Sequence, residues 1–272
     1  MEQHRTLTVD GRTVHYRDEG RGNLHTLVLL HGFLQNLDVW SSYVLSYMNN
    51  MRVITVDLPG HGLTDTFCDV HTMDFMAKIV KDVLVEAGVD QCVMVGHSMG
   101  GYVALAFADR YPYTIKGLGL INSHPLADTD QHREYREEVC RSVQDNRASY
   151  IVGFVPELFD GSRRAALSHD IKDLQEQCLL TTTASIVAAQ RGMEKRPSRV
   201  GTLATIDVPT LFVYGKNDPR IPLELAVSGA LVARRPEMLL LEDVAHMAFM
   251  EEREYLKPRL RNFVDNCYQN IT

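Results

Sequence analysis

No run of this 272-residue chain is apolar for long enough to cross a bilayer. Leu27-Val28-Leu29-Leu30 and Met238-Leu239-Leu240-Leu241 are strand-sized, against the ~18–20 residues a span requires. Cysteine is sparse: five residues, at 68, 92, 140, 178 and 267, form no CxxC pair and no Cys/His ligand spacing. That pattern argues against a disulfide framework or a structural zinc site and reads as small buried hydrophobes in a reducing compartment. Positive charge is in deficit, 28 Lys and Arg against 35 Asp and Glu, for a net charge of -7. Nucleic acid and anionic membranes would repel such a chain, and no long basic stripe compensates, so neither is an expected partner. The opening Met1-Glu2-Gln3-His4-Arg5 lacks the apolar stretch of a secretory signal, and a cytoplasmic protein is expected. With 45% hydrophobic residues, the chain can bury the core of one large domain, with or without an insertion. A monomer is the default expectation.

What is present alternates. Thr6 to Val9 and Thr13 to Tyr16 flank Asp10-Gly11 and predict a hairpin, because Asp-Gly suits the positive φ angles of a tight turn. Thr26–Leu30, Val53–Val56, Cys92–Val95, Gly117–Ile121, Thr210–Tyr214 and Met238–Leu241 read as strands. Between them lie segments of helical period, such as the one capped by Thr72 and stopped at Gly88. Strands apolar on both faces and separated by helices predict a mostly parallel sheet covered on both sides. The stretch from about Pro125 to Val200 differs, with dense charge, no strand, and apolar residues at helical spacing. Inserted between sheet strands, it predicts an all-helical cap over residues 124–200 on a core of 1–123 and 201–272.

The chemistry concentrates at strand ends. Gly96-His97-Ser98-Met99-Gly100 stands between a strand and an Ala-rich helix. A serine there is lifted above the sheet on a sharp turn, which needs small residues two before and two after. A serine hydroxyl needs a base within hydrogen-bond reach, and His246, after the strand Met238–Leu241, is the candidate. Asp218, after Thr210–Tyr214, is the acid that would orient it. The backbone N–H groups of Phe33, in His31-Gly32-Phe33, and of Met99 are the expected oxyanion donors. Gly32, Phe33, Met99, His124 and Met247 are the expected substrate contacts. Met193 and Phe154 could line a pocket, with core packing the default for both. Trp40, His61 and His97 read as structural.

These stretches, with Asp57-Leu58-Pro59-Gly60-His61-Gly62, Gly215-Lys216-Asn217-Asp218 and Ala245-His246-Met247, resemble the α/β-hydrolase family over nearly the whole chain. The resemblance implies an α/β fold with an eight-stranded, mostly parallel sheet, helices on both faces and a helical cap after the sixth strand. It also implies Ser98 as nucleophile, Asp218 as acid and His246 as base. Ala245 departs mildly from the glycine that many members carry there. A serine at the elbow disfavours the dehalogenase and epoxide hydrolase relatives that use aspartate.

The expected activity is hydrolysis of a carboxylic ester or related acyl compound through an acyl-enzyme, acting on a small molecule without cofactor. Alternatives on the same triad are carbon–carbon bond, lactone or thioester cleavage and acyl transfer. A small-molecule receptor with residual hydrolase activity is the alternative of another class.

Overall fold

Strands with no polar face must be buried from both sides, and that requirement organises the molecule. The computed structural model describes residues 4–269; the reading of Met1-Glu2-Gln3 lies outside them. In chain order the elements are β1 (His4–Val9), β2 (Arg12–Glu19), β3 (Thr26–Leu30), α1 (Ser41–Tyr47), β4 (Arg52–Val56), α2 (Met73–Glu86), β5 (Cys92–His97), α3 (Met99–Arg110) and β6 (Ile115–Ile121). Then follow α4 (Asp130–Phe154), α5 (Ser168–Cys178), α6 (Thr183–Glu194), α7 (Val200–Thr205), β7 (Thr210–Gly215), α8 (Leu223–Val232), β8 (Pro236–Leu241), α9 (Ala248–Glu251) and α10 (Arg253–Gln269). The eight strands form one sheet in the order β1-β2-β4-β3-β5-β6-β7-β8. Pairing is antiparallel across β1-β2 and β2-β4 and parallel elsewhere.

In β3, Val28 and Leu30 join the apolar cluster under α2 and α3, while Leu27 and Leu29 join the cluster under α1, α9 and α10; all four are fully buried. Such burial stabilises by about 1.5–3 kcal/mol per side chain, and a polar substitution at any of them meets apolar atoms on either face. Trp40 packs inside the second cluster, its ring centroid 4.4 Å from that of Phe249. The Asp10-Gly11 turn has both φ angles positive. Thr72 caps α2 by accepting from the Phe75 N–H at 3.1 Å.

The strand order places the site. From β3 the chain moves to β4 on one side, and after β4 it returns to β5 on the other. The connections leaving β3 and β5 therefore diverge, and a crevice opens beyond their carboxyl ends. Between β6 and β7 the chain forms α4 to α7 and no strand. α4 is broken at Asn146 (φ -147°, ψ 84°), and Val139 and Val143 before the break and Ile151 after it are all buried in the second cluster.

Candidate active site

β5 passes into α3 through one residue, Ser98, held at φ +50° and ψ -114°. A non-glycine residue there is strained by about 1–3 kcal/mol and persists only where its surroundings enforce it. They do so by close approach. A Cβ on Gly96 would lie 2.2 Å from the Gly100 carbonyl oxygen, and one on Gly100 would lie 2.5 Å from those of Leu30 and His31. The Ser98 N–H donates to Ile121 O at 2.9 Å, and Ser123 Oγ donates to Ser98 O at 2.8 Å. The hydroxyl is left facing the crevice, 2.9 Å from His246 Nε2.

His246 Nδ1 lies 3.0 and 2.9 Å from the two oxygens of Asp218. A carboxylate only accepts, so the ring proton sits on Nδ1 and the Nε2 lone pair faces the serine hydroxyl. Burial pushes the Asp218 carboxyl up, but His246, the Arg220 N–H and the Asn122 amide outweigh it and hold it below the usual carboxylate range. Its oxygens also accept from the backbone N–H groups of Arg220 (2.8 Å) and Ile221 (3.1 Å).

Three supports were not read from the sequence. Asn122, at φ +47° just past β6, donates from Nδ2 to Asp218 Oδ2 (2.8 Å) and to Ala245 O (3.1 Å). An asparagine straight after a strand, a type that tolerates positive φ, was the available signal. Glu251, buried in α9, accepts from Ala245 N (3.0 Å), Met247 N (3.2 Å) and Asp160 N (2.8 Å); burial raises its carboxyl despite these donors. The His246 N–H donates to Leu158 O at 2.9 Å, which ties the histidine loop to the segment following α4. His97, held neutral with a pKa of about 3 by burial and by His246, donates from Nε2 to His246 O at 2.9 Å.

A cavity of about 340 Å³ opens onto Ser98 and His246. Phe33 and Phe154, whose ring centroids lie 6.2 Å apart, form an aromatic wall. His124 lines the cavity and lies 3.2 Å from the Tyr102 hydroxyl, its pKa lowered to about 3 by burial and then by Arg196. Met193 lines it too. Three expected contacts do not reach it. Gly32 is buried, its N–H donating to Gln35 Oε1 at 2.8 Å. The Met99 side chain is fully buried under α3 in the core. Met247 is fully buried in the second cluster, its sulfur receiving Gln35 Nε2 at 3.5 Å. Being next to a site residue in sequence does not set direction: on these sharp turns the neighbouring side chain points back into the protein. The backbone N–H groups of Phe33 and Met99 donate to no acceptor among the described residues; for Met99, the first residue of α3, that is the normal state of a helix start. Also lining the cavity, and unforeseen, are Asp128, Arg136, Tyr150 and Arg220.

Among the described residues no group of three or more His, Cys, Asp or Glu is placed to hold a metal ion, and no helix is long and apolar enough to cross a membrane.

The pattern of the family described as "alpha/beta hydrolase fold" matches residues 25–253. The chain is 26% identical over 267 residues to the 2-hydroxy-6-oxononadienedioate/2-hydroxy-6-oxononatrienedioate hydrolase of Paraburkholderia phymatum, covering 92% of this chain and 90% of that one. It is 24% identical to human epoxide hydrolase 4, over 93% of this chain and 76% of the other. Among solved structures, a thermophilic esterase from Thermogutta terrifontis superposes with a TM-score of 0.89 at 26% identity, over 98% of this chain and 99% of that one. The enol-lactonase of Burkholderia xenovorans gives 0.88 at 19% identity, over 96% and 100%, a likeness of fold alone.

Proposed function

The chain belongs to the α/β hydrolase fold family, and from that premise we propose that it is a serine hydrolase cleaving a carboxylic ester or related acyl compound through an acyl-enzyme on Ser98. The observation that carries this reading is the continuous chain Ser98 Oγ, His246 Nε2, His246 Nδ1, Asp218, with links of 2.9 to 3.0 Å, opening on a cavity.

In the first half-reaction the Ser98 hydroxyl proton passes to His246 Nε2 as Oγ bonds to the acyl carbon. The carbonyl oxygen becomes an oxyanion held by the Phe33 and Met99 N–H groups, which are free to receive it. Its collapse breaks the bond to the leaving oxygen, which takes the proton from His246. Water then gives a proton to the same nitrogen, attacks the acyl-serine, and releases the acid with Ser98 restored. Asp218 keeps the imidazole in the required tautomer and stabilises it while it is charged. Epoxide opening by this serine would leave an ether on the enzyme, which water cannot release; chemistry of that type needs a carboxylate nucleophile.

The α4 to α6 region, within residues 124–200, serves in this reading as a cap that sets substrate shape; Phe154, Arg136 and Met193 on the cavity wall support it. A second reading, hydrolysis of a ketone by carbon–carbon cleavage on the same three residues, is favoured by the Paraburkholderia relative, whose named substrate is an oxo-dienedioate.

The test is steady-state hydrolysis of p-nitrophenyl esters from two to twelve acyl carbons by the wild type and Ser98→Ala. The expected result is Ser98-dependent turnover, lost by on the order of 10⁶ in the variant. Substantial residual turnover in Ser98→Ala overturns the assignment.

A further inference from the structure

The charge balance inside the cavity does not close. Asp128, whose side chain is 2% exposed, is shared by two guanidinium groups. Arg136 reaches it through Nε and, at 3.3 Å, through one terminal nitrogen. Arg196 reaches it at 2.6 Å while lying over the Tyr102 ring, 4.0 Å from its centroid. Both arginines outweigh the effect of burial and hold the Asp128 carboxyl below its usual range. Its one negative charge is therefore committed twice over.

A third guanidinium, Arg220, lines the cavity alongside Arg136 and Asp128, with no side-chain carboxylate contact inside it. Its carboxylate neighbour is Glu157, 4.0 Å away with a side chain 67% exposed, and an ion pair of that kind contributes little. One terminal nitrogen donates to the Tyr135 hydroxyl at 2.8 Å. The guanidinium rides over the Phe154 ring, 4.6 Å from its centroid, and Nε is buried without an acceptor among the described residues. His124 is neutral, and His246, with its proton on Nδ1, carries no charge either, so Asp218 counts as a second buried negative charge. Three guanidinium groups, Arg136, Arg196 and Arg220, thus meet two buried carboxylates, Asp128 and Asp218, and one positive charge is left over. The Arg220 side chain is 27% exposed, so it is partly hydrated, but a cavity-lining cation with a weakly held carboxylate partner and an unused donor favours a ligand that brings negative charge.

Resting on the serine-hydrolase reading for its reaction but not for its binding, we propose that the cavity takes an acyl compound bearing a second, free carboxylate, and that Arg220 is the residue that selects it. A planar guanidinium held over a ring presents paired donors to a carboxylate. Arg220 is also fixed relative to the reacting atoms, because its backbone N–H holds Asp218. The free carboxylate therefore docks at a set position while the acyl carbon lies at Ser98.

The test compares mono-p-nitrophenyl adipate with its uncharged branched isostere, p-nitrophenyl 6-methylheptanoate, and measures adipate binding by calorimetry on the same proteins. Wild type is expected to favour the anionic ester by about 10- to 100-fold in kcat/KM, the range of a charged hydrogen-bonded contact. Arg220→Gln, which keeps the backbone N–H to Asp218, is expected to bring the ratio towards one and to abolish adipate binding; Arg220→Lys should retain part of both. Equal use of the two esters by the wild type, or a ratio unchanged in Arg220→Gln, overturns the proposal and leaves the serine-hydrolase reading intact. If neither ester is turned over in a Ser98-dependent way, that reading fails, and adipate binding decides alone: Arg220-dependent binding upholds the carboxylate site and its absence overturns it.

Discussion

Asp218→Asn is the substitution whose outcome follows most directly from the geometry. The carboxylate receives hydrogen bonds from the Arg220 and Ile221 N–H groups on one oxygen, from Asn122 Nδ2 on the other, and from His246 Nδ1 across both. An asparagine keeps one acceptor. The two backbone donors claim it, so the new NH₂ replaces the oxygen that faces Asn122 and the histidine. Asn122 cannot turn to accept from it without giving up its bond to Ala245 O. The imidazole resolves the clash by moving its proton to Nε2 and accepting on Nδ1. An Nε2–H cannot take the Ser98 proton, so the base is lost although every heavy atom stays in place. Known triads lose about 10⁴ in kcat from this change, close to 5.5 kcal/mol of barrier. The cost in stability is about 1–2 kcal/mol for the altered hydrogen bonds, or roughly 2–8 °C in Tm. The assay is kcat on the best p-nitrophenyl ester at pH 7.5, with Tm from near-ultraviolet circular dichroism on the same samples. A loss below about tenfold with the fold intact would refute the tautomer argument.

The strain at Ser98 predicts that Ser98→Gly is more stable than Ser98→Ala by about 1 kcal/mol, or 2–4 °C, the reverse of the order expected at an ordinary position; an alanine variant at least as stable would remove the strain argument. Four histidines that burial keeps neutral, His61, His97 and His124 at about 3 and His71 at about 4, make stability depend on pH. Their folded values lie below the unfolded 6.5, so the unfolded chain binds more protons between those limits. Stability is therefore complete above about pH 6.5 and falls as pH drops towards 3, each group adding up to about 1.4 kcal/mol per pH unit. Urea midpoints at pH 7.5, 6.5, 5.5 and 4.5 measure this, and a constant midpoint down to 4.5 contradicts it.

Legibility followed the range of the forces involved. β3 was readable to the residue because Thr26–Leu30 is buried on both faces and nothing else explains the four apolar residues Leu27 to Leu30 between polar flanks. β6 begins at Ile115 rather than Gly117, since the polar Lys116 masks the pattern at its edge. The three loops carrying Ser98, Asp218 and His246 were readable because each directly follows a strand. Helix α6 was not, because Thr183–Glu194 carries only three large apolar residues, Ile186, Val187 and Met193, among small and polar ones. Nor were Arg136 and Arg220: a surface-type residue reveals nothing of a cavity that forms only when α4 and the β7 loop pack together. Gly32 and the side chains of Met99 and Met247 do not line the cavity for the opposite reason, as the turns that carry them bury them in the protein.

The bond from His246 N–H to Leu158 O, with that from Asp160 N–H to Glu251, stitches the segment after α4 to the histidine loop. This makes the inserted helices unequal as raw material for change. Grafting a foreign insertion across the whole of 125–199 would remove the carbonyl that anchors the histidine, and the chimaera would lose rate along with its old selectivity. Shuffling side chains at Phe154 or Met193 redraws the cavity wall and leaves that anchor in place. Changes at those two side chains therefore alter the cavity wall, while the short Leu158-Phe159-Asp160 link to the histidine loop stays fixed.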